Sequence, residues 1–175
     1  MRLRLLLLTL VVISLAVFTV SAQELSAVAD LKDRNGATVG RATFAQNLPG
    51  GGVWIEVTVR GLTPGVHGIH VHAVGTCTGD FTSAAGHFNP EAARHGFLAD
   101  SGPHAGDLPN LIARSDGTAR YVTANYRIML GPGPNSVFDA DGSALVIHAS
   151  PDDYVTDPAG NSGARVVCSV IARGR

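Results

Sequence analysis

The chain has 175 residues, with 13 Lys and Arg against 14 Asp and Glu for a formal net charge of −1, and 45% of its residues are hydrophobic. This balance excludes the broad basic surface of a nucleic-acid-binding domain, so we expect no nucleic-acid partner. The length suits one domain with its own hydrophobic core, and the 21 glycines and 9 prolines favour short strands joined by turns over long helices.

The first 22 residues have the features of a secretory signal peptide. Two arginines near the N-terminus precede an uncharged run from Leu5 to Val20, and the small residues Ser21 and Ala22 follow. We expect cleavage after Ala22, leaving a domain of residues 23–175 that is secreted or periplasmic and has no stable membrane association. A retained membrane anchor is the alternative, because the run falls only slightly short of the roughly 20 residues that a spanning helix needs.

Short strands predicted from alternating side chains follow in chain order. The first covers Leu25 to Leu31, Asp33 to Gly36 have hairpin-turn chemistry, and Thr38 to Ala45 form the return strand. In "VWIEVTVR" the residues Val53, Ile55, Val57 and Val59 share one face, as in a half-buried antiparallel strand. The remaining predicted strands are Gly68 to Val74, Thr118 to Tyr126, Gly142 to His148 and Arg165 to Ile171.

Two segments are too long to be plain turns, Thr76 to Ala113 and Ala149 to Ala164. Long loops of a compact domain are usually functional, and most of the seven histidines lie in these loops or at their ends. With no convincing helical period after the signal segment, the sequence predicts an all-β sandwich or barrel with two long functional loops.

The histidines of "HGIHVH" point to a metal site. On a strand His70 and His72 face the same side, while Ile69 and Val71 face the core. His148 stands on another strand whose neighbouring residues face the core. Three imidazoles could form most of a copper site, since nitrogen ligands suit Cu(II); surface histidines are the alternative.

The first long loop carries a second set of candidate ligands. His87, His95, His104 and Asp107 follow one another at intervals of eight, nine and three residues. Three imidazoles and one carboxylate form a closed tetrahedral zinc set, the alternative being a polar surface loop that happens to be rich in histidine.

Only two cysteines are present, Cys77 and Cys168. In an exported protein this count predicts one disulfide, which would contribute about 4 to 5 kcal/mol by closing so long a loop. Two free thiols are the alternative.

Five segments resemble, in order, the signature blocks of the copper-zinc superoxide dismutase family. They are "GLTPGVHGIHVHAVGTC", "GHFNP", "HAGDLPN", "GSALVIHASPDD" and "GNSGARVVCSVI", and the resemblance extends from Leu25 to Ile171. It implies a Greek-key β-sandwich or flattened barrel of about eight antiparallel strands. It also implies an antioxidant enzyme with copper and zinc ions that converts superoxide to oxygen and hydrogen peroxide.

The same resemblance implies a role for each site residue. The copper ligands would be His70, His72, His87 and His148, and the zinc ligands His87, His95, His104 and Asp107. His87 would bridge the metals and return a proton during turnover, and Asp152 would link copper and zinc histidines by hydrogen bonds. Arg165 would attract the anion, and Cys77 and Cys168 would form the disulfide. His67 matches no ligand and is expected to be structural.

Departures from the family pattern concern the second long loop. Only sixteen residues separate His148 from Arg165, with three aspartates and no lysine, and Ala159 replaces a frequent threonine. The short loop and the signal peptide are similar to those of secreted bacterial members, and both monomer and homodimer are compatible with the sequence. A non-catalytic copper- and zinc-binding protein on the same scaffold is the alternative function; a copper-only dismutase would lack His95, His104 and Asp107.

Overall fold

The computed structural model describes residues 25–174. The predicted signal peptide and its cleavage site therefore lie outside the described residues. Within the described range, no helix has the length and apolar character needed to cross a membrane.

The described chain is built of ten β-strands. They are β1 (Leu25–Asp33), β2 (Thr38–Gln46), β3 (Val53–Val59), β4 (Gly65–His67), β5 (Ile69–His72), β6 (Leu111–Ala113), β7 (Ala119–Asn125), β8 (Ala144–His148), β9 (Arg165–Val170) and β10 (Ala172–Arg173). Short 3-10 turns lie at Pro49–Gly51 and Thr82–Ala84. The seven predicted strands correspond to β1, β2, β3, β5, β7, β8 and β9.

The strands form one curled antiparallel sheet and one small antiparallel pair. The large sheet has the order β5-β8-β9-β1-β2-β3-β7, with β10 added beside β1, and β4 pairs with β6. Because β3 lies next to β7 and β5 next to β8, long connections cross between the ends of the sheet, as Greek-key topology requires. The predicted all-β Greek-key class is confirmed. The predicted loop Thr76 to Ala113 was too long by its last three residues, which form β6.

The core lies on the concave side of the large sheet, where alternation on each strand directs apolar side chains. Val53, Ile55 and Val57 are completely buried, as their spacing in β3 predicts. Ile69 and Val71 of β5 join the same core, together with Leu145 and Ile147 of β8. Burying each such side chain contributes about 1.5 to 3 kcal/mol, so this core fixes the strands that carry the histidines.

The first long loop covers the free edge of β5. Val71 donates its N–H to the Gly106 oxygen at 2.9 Å and accepts a hydrogen bond from Phe88 N at 2.8 Å. A Cβ at Gly106 would overlap the Val71 carbonyl oxygen, so the close approach requires glycine here. This pairing places Asp107 opposite His70, and His87 opposite His72.

A disulfide ties the start of the same loop to β9. Cys77 and Cys168 are bonded across a Cα separation of 5.8 Å, which confirms the predicted disulfide. Cys168 packs in a second, smaller apolar cluster with Phe81, Ala84, Ala144 and Val146, beneath the loop. The start of the loop is therefore anchored by the disulfide and by this cluster before its histidines are reached.

Candidate metal centre

Seven side chains from β5, β8 and the first long loop gather into two groups that share one histidine. Within each group the candidate ligand atoms all lie within 4.8 Å of one another. The four-histidine group is His70, His72, His87 and His148, and the Asp107 group is His87, His95, His104 and Asp107. All seven residues are buried. The structure brings together every residue of the predicted copper and zinc ligand sets.

Outward hydrogen bonds orient the strand histidines of the four-histidine group. One ring nitrogen of each histidine lies against an oxygen acceptor and must carry the proton. These bonds join His70 Nε2 to Asp152 Oδ2 at 2.7 Å, His72 Nδ1 to Ala85 O at 3.0 Å, and His148 Nδ1 to Gly163 O at 3.2 Å.

The other nitrogen of each ring is then unprotonated and turned inward. His70 Nδ1 is buried without any hydrogen-bond partner. His72 Nε2 and His148 Nε2 lie 3.4 Å apart, and neither carries a proton to share with the other. Three lone pairs that converge in this way lack a partner until a cation binds between them.

Asp107 is the centre of the second group. Its Oδ1 lies 2.8 Å from His87 Nδ1, 3.2 Å from His95 Nδ1 and 3.5 Å from His104 Nδ1. Its Oδ2 accepts the main-chain N–H groups of Gly96 at 2.9 Å and His104 at 3.0 Å. These two bonds fix the carboxylate so that Oδ1 faces His87 and His104, while His95 Nδ1 lies beside both oxygens, 3.1 Å from Oδ2.

His87 belongs to both groups through its two nitrogens. Nδ1 faces Asp107, while Nε2 is buried without a hydrogen-bond partner. The ring stacks on His70 at a centroid distance of 3.9 Å. A single imidazole thus offers one nitrogen to each group.

Asp152 connects the two groups through the outward-facing ring nitrogens of His70 and His95. Its Oδ2 accepts from His70 Nε2 at 2.7 Å and its Oδ1 from His95 Nε2 at 3.0 Å. Gly160, with a φ of +62°, packs directly on this carboxylate, and a Cβ there would overlap Asp152 Oδ1. The main chain of Asp152 is held in turn by the side-chain amide of Asn110, which bonds to its N–H at 2.9 Å and its oxygen at 2.8 Å.

Burial controls the protonation of the four-histidine group. It lowers the pKa of His70 to about 3 and that of His148 to about 4, and it also lowers the pKa of His72 and His87. These four rings are therefore neutral at physiological pH. His70, His72 and His148 need not lose a proton to bind a metal through their inward nitrogens, whereas His87 has to give up its one N–H proton to bind at both nitrogens.

The carboxylates carry the negative charge of the centre. Burial opposes their ionisation, but hydrogen bonds from the surrounding histidines hold the pKa of Asp107 and Asp152 well below the ordinary range. Burial alone would lower the pKa of His95, yet its bonds to both carboxylates raise it to about 9. Without a metal, a proton on His95 balances part of this charge.

The chemistry of the two groups fits copper and zinc. Two ionised carboxylates are buried here, and among residues 25–174 no buried Lys or Arg accompanies them, so a bound cation would balance their charge. The four-histidine group offers four nitrogen donors, which suits copper. The Asp107 group offers three nitrogens and one carboxylate oxygen in a closed, buried set, which suits zinc.

A cleft of about 430 Å³ leads from the surface to the four-histidine group. His72, His87 and His148 line its floor, and Arg165 and Asp157 are among the residues of its wall. Arg165 donates from Nη1 to Phe81 O and from Nη2 to Ala85 O, each at 2.6 Å. Its guanidinium is thereby fixed in the wall of the cleft that leads to the four-histidine group.

Two features of the centre were not anticipated from the sequence. The main-chain oxygens of Ala85 and Gly163 orient His72 and His148 of the four-histidine group, and a carbonyl carries no sequence signal. Asn110 holds Asp152, and only its place in the "HAGDLPN" block could have pointed to it.

His67 lies outside both groups, with its ring nitrogens 2.7 Å from His148 O and 2.8 Å from Thr63 O.

Comparison with known proteins agrees with the geometry. The sequence model of the family described as "Copper/zinc superoxide dismutase (SODC)" matches residues 38–171. The chain is 43% identical over 153 residues to Superoxide dismutase [Cu-Zn] 1 of Aquifex aeolicus, covering 86% of this chain and 89% of that protein. It is 41% identical over 150 residues to Superoxide dismutase [Cu-Zn] of Caulobacter vibrioides, covering 83% and 85%.

A solved structure shares the fold. The crystal structure of a double mutant of a superoxide dismutase-like protein from Bacillus subtilis superimposes with a TM-score of 0.79 at 41% sequence identity, covering 82% of this chain and 95% of that one. The family match, the relatives and the two metal-ligand groups agree. The chain belongs to the copper/zinc superoxide dismutase family.

Proposed function

We propose that the protein catalyses the dismutation of superoxide to oxygen and hydrogen peroxide. The observation that carries this proposal is the pair of buried ligand groups joined through His87. Copper would be held by His70, His72, His87 and His148, and zinc by His87, His95, His104 and Asp107. When bound, copper supplies a redox centre that takes an electron from one superoxide and gives one to the next, and zinc supplies a fixed positive charge.

Arg165 binds and orients the anion. The guanidinium stands in the wall of the cleft, and its two bonds to carbonyl oxygens leave its positive charge uncompensated by any ion pair at these contacts. A fixed charge in a narrow cleft raises the rate at which an oppositely charged substrate arrives. The overall protein is slightly acidic, so this attraction has to be local.

His87 handles a proton at Nε2. Its Nδ1 is committed to the Asp107 group, so Nε2 is the nitrogen available to the reaction. This atom would hold a proton on the copper side and pass it to the reduced product, which leaves as hydrogen peroxide with two protons. Asp107 keeps the ring in place while the proton moves.

Asp152 orients one histidine of each ligand group. One carboxylate fixes the ring of His70 on the copper side and that of His95 on the zinc side. Such partners set the tautomer and orientation of metal-binding histidines, and their loss commonly costs 10- to 100-fold in metal affinity.

We infer that the domain begins at residue 23 and works outside the cytoplasm, secreted or in the periplasm. The signal-like composition of residues 1–22 and the Cys77–Cys168 disulfide support this location, because disulfides persist in oxidising compartments. The complete ligand set and Arg165 together favour an enzyme over a metal carrier on the same scaffold.

Paired variants test the function. Superoxide decay is followed with the protein loaded with both metals, and with His72→Gln and His104→Gln prepared in the same way. The proposal expects His72→Gln to lose copper and all activity. It expects His104→Gln to lose zinc before it loses copper. Loss of copper without loss of activity would contradict it, because the decay would then arise elsewhere.

A further inference from the structure

Arg34 lies against the guiding arginine although 131 positions separate them in the chain. Arg34 Nε donates a hydrogen bond to the main-chain oxygen of Arg165, 2.8 Å away. Arg165 is therefore held from two sides, its guanidinium by the loop carbonyls of Phe81 and Ala85 and its main chain by Arg34.

The turn between β1 and β2 is built to deliver Arg34 to this place. Asp33 Oδ1 accepts the N–H groups of Asn35 and Ala37 at 2.9 Å each, which closes the turn. Asp33 also pairs with Val167 of β9. The turn consequently overhangs the first residues of β9, where Arg165 stands.

The negative charge of Asp80 acts on Arg165, and the positive charge of Arg34 opposes it. It directly precedes Phe81, whose oxygen binds the Arg165 guanidinium. Hydrogen bonds from Thr82 lower the pKa of Asp80, and the charge of Arg34 lowers it further. Burial lowers the pKa of Arg165, and the negative charge of Asp80 opposes that shift. One carboxylate thus acts on both guanidinium groups and weakens the attraction that Arg165 alone would exert.

We propose that Arg34 is a positioning residue for Arg165 and a second positive charge that guides the anionic substrate into the cleft. This inference rests on the proposed dismutase function and adds to it a residue from the hairpin at the far end of the chain. Arg34 steadies the main chain of Arg165 and offsets the charge of Asp80. A unit charge about 10 Å away through water changes the local concentration of a monovalent anion by about twofold at low salt, and salt screens the effect.

Charge and position are separated by two substitutions and a matched control. Arg34→Gln removes the charge and the hydrogen bond, whereas Arg34→Lys keeps the charge and lacks the Nε donor. Arg41→Gln removes the same charge from the same hairpin, at a residue paired with Asp30 rather than Arg165. Each metal-loaded variant is assayed for the second-order rate constant of superoxide decay over a range of ionic strength. Azide affinity is measured in parallel from the visible absorption of the copper protein.

The expected result is a rate constant about twofold lower for Arg34→Gln at low ionic strength, with the difference shrinking as salt is added. Its azide affinity should fall by a similar factor. Arg34→Lys should recover the salt-dependent part of the loss but not the part due to the missing hydrogen bond to Arg165, and Arg41→Gln should match the parent. Equal rates and azide affinities for Arg34→Gln and the parent would overturn the proposal. So would an equal loss in Arg41→Gln, which would reduce the effect to net charge. If the parent protein itself leaves superoxide decay unchanged, the proposed function fails, while the azide titration still decides the role of Arg34.

Discussion

His72 and Arg165 donate hydrogen bonds to the same carbonyl oxygen, that of Ala85, at 3.0 and 2.6 Å. A histidine of the four-histidine group and the arginine proposed to guide the substrate are therefore positioned by one atom of the first long loop. A displacement of this peptide would move both the ligand and the charge that lies beside it. The disulfide and the packing of Ala84 beneath the loop hold the peptide in place.

Ala85 is strained in this position. Its φ of 60° and ψ of −151° fall in a region that is essentially restricted to glycine. We predict that Ala85→Gly raises the free energy of unfolding by about 1 kcal/mol, because the relief of strain exceeds the entropy that glycine adds to the unfolded chain. Urea unfolding of the metal-free proteins measures this. Ala84→Gly, at a buried neighbour with ordinary backbone angles, should be destabilising; stabilisation of both variants, or of neither, would contradict the strain argument.

Gly160 should be required for the link between the two ligand groups. A side chain at this position meets the Asp152 carboxylate and His95 Nε2 at distances too short to coexist with the bond between them. We predict that Gly160→Ala weakens zinc and copper binding by about 10- to 100-fold, as measured by competition with a chelator.

Gly61→Ala provides the matched control for that experiment. Gly61 has a similar positive φ of +79°, but nothing lies within 4 Å of its Cβ direction. It should show the backbone cost without the loss of metal affinity. If both variants bind metals as the parent does, the Asp152 link does not set affinity.

Arg165→Gln tests the guiding charge. The substitution should lower the second-order rate constant for superoxide by about tenfold or more at low salt, and it should flatten the dependence on ionic strength. Copper and zinc content, measured by elemental analysis, should stay at the parental level because Arg165 is not a ligand. A rate constant unchanged at low salt would mean that the anion reaches copper without help from this residue.

The metal-free protein should lose stability in acid. Burial lowers the pKa of His70 to about 3 and that of His148 to about 4, so between about pH 6.5 and 4 the unfolded chain binds protons that the folded protein excludes. The free energy of unfolding should fall across this window.

His95 contributes with the opposite sign. Its pKa is raised to about 9, so its stabilisation is complete below about pH 6.5 and is lost as the pH rises toward 9. Urea unfolding of the metal-free protein at several pH values should give a maximum near neutrality. A free energy of unfolding that increases steadily from pH 6.5 to 4 would contradict the buried, neutral state of His70 and His148.

The ligands of the centre could be predicted because they combine strand alternation with specific motifs. His70 and His72 share a face with a period of two, and the core on the other face fixes which side that is. The zinc set was predicted by the chemistry of its ligand types within one loop. The disulfide was predicted from a count of two cysteines together with the expectation that the chain is exported.

Other parts could not be predicted, for physical reasons. Strands β4, β6 and β10 have only two or three residues, too few for alternation to show. The acceptors that orient His72 and His148 are main-chain oxygens, which every residue possesses. Arg34 reaches Arg165 only because the β1–β2 turn overhangs β9, and this contact depends on the register of β1 with β9.

The most direct test is the decay of superoxide, followed by its ultraviolet absorption after rapid generation, in the presence of protein carrying one copper and one zinc and freed of loose copper with a chelator. The proposed function predicts a rate constant on the order of 10⁸ to 10⁹ M⁻¹ s⁻¹ at low salt, the diffusion-limited range to which superoxide dismutases belong, and a decrease as salt is added. Decay no faster than in buffer, with both metals bound, would contradict it and indicate a metal carrier on a dismutase scaffold.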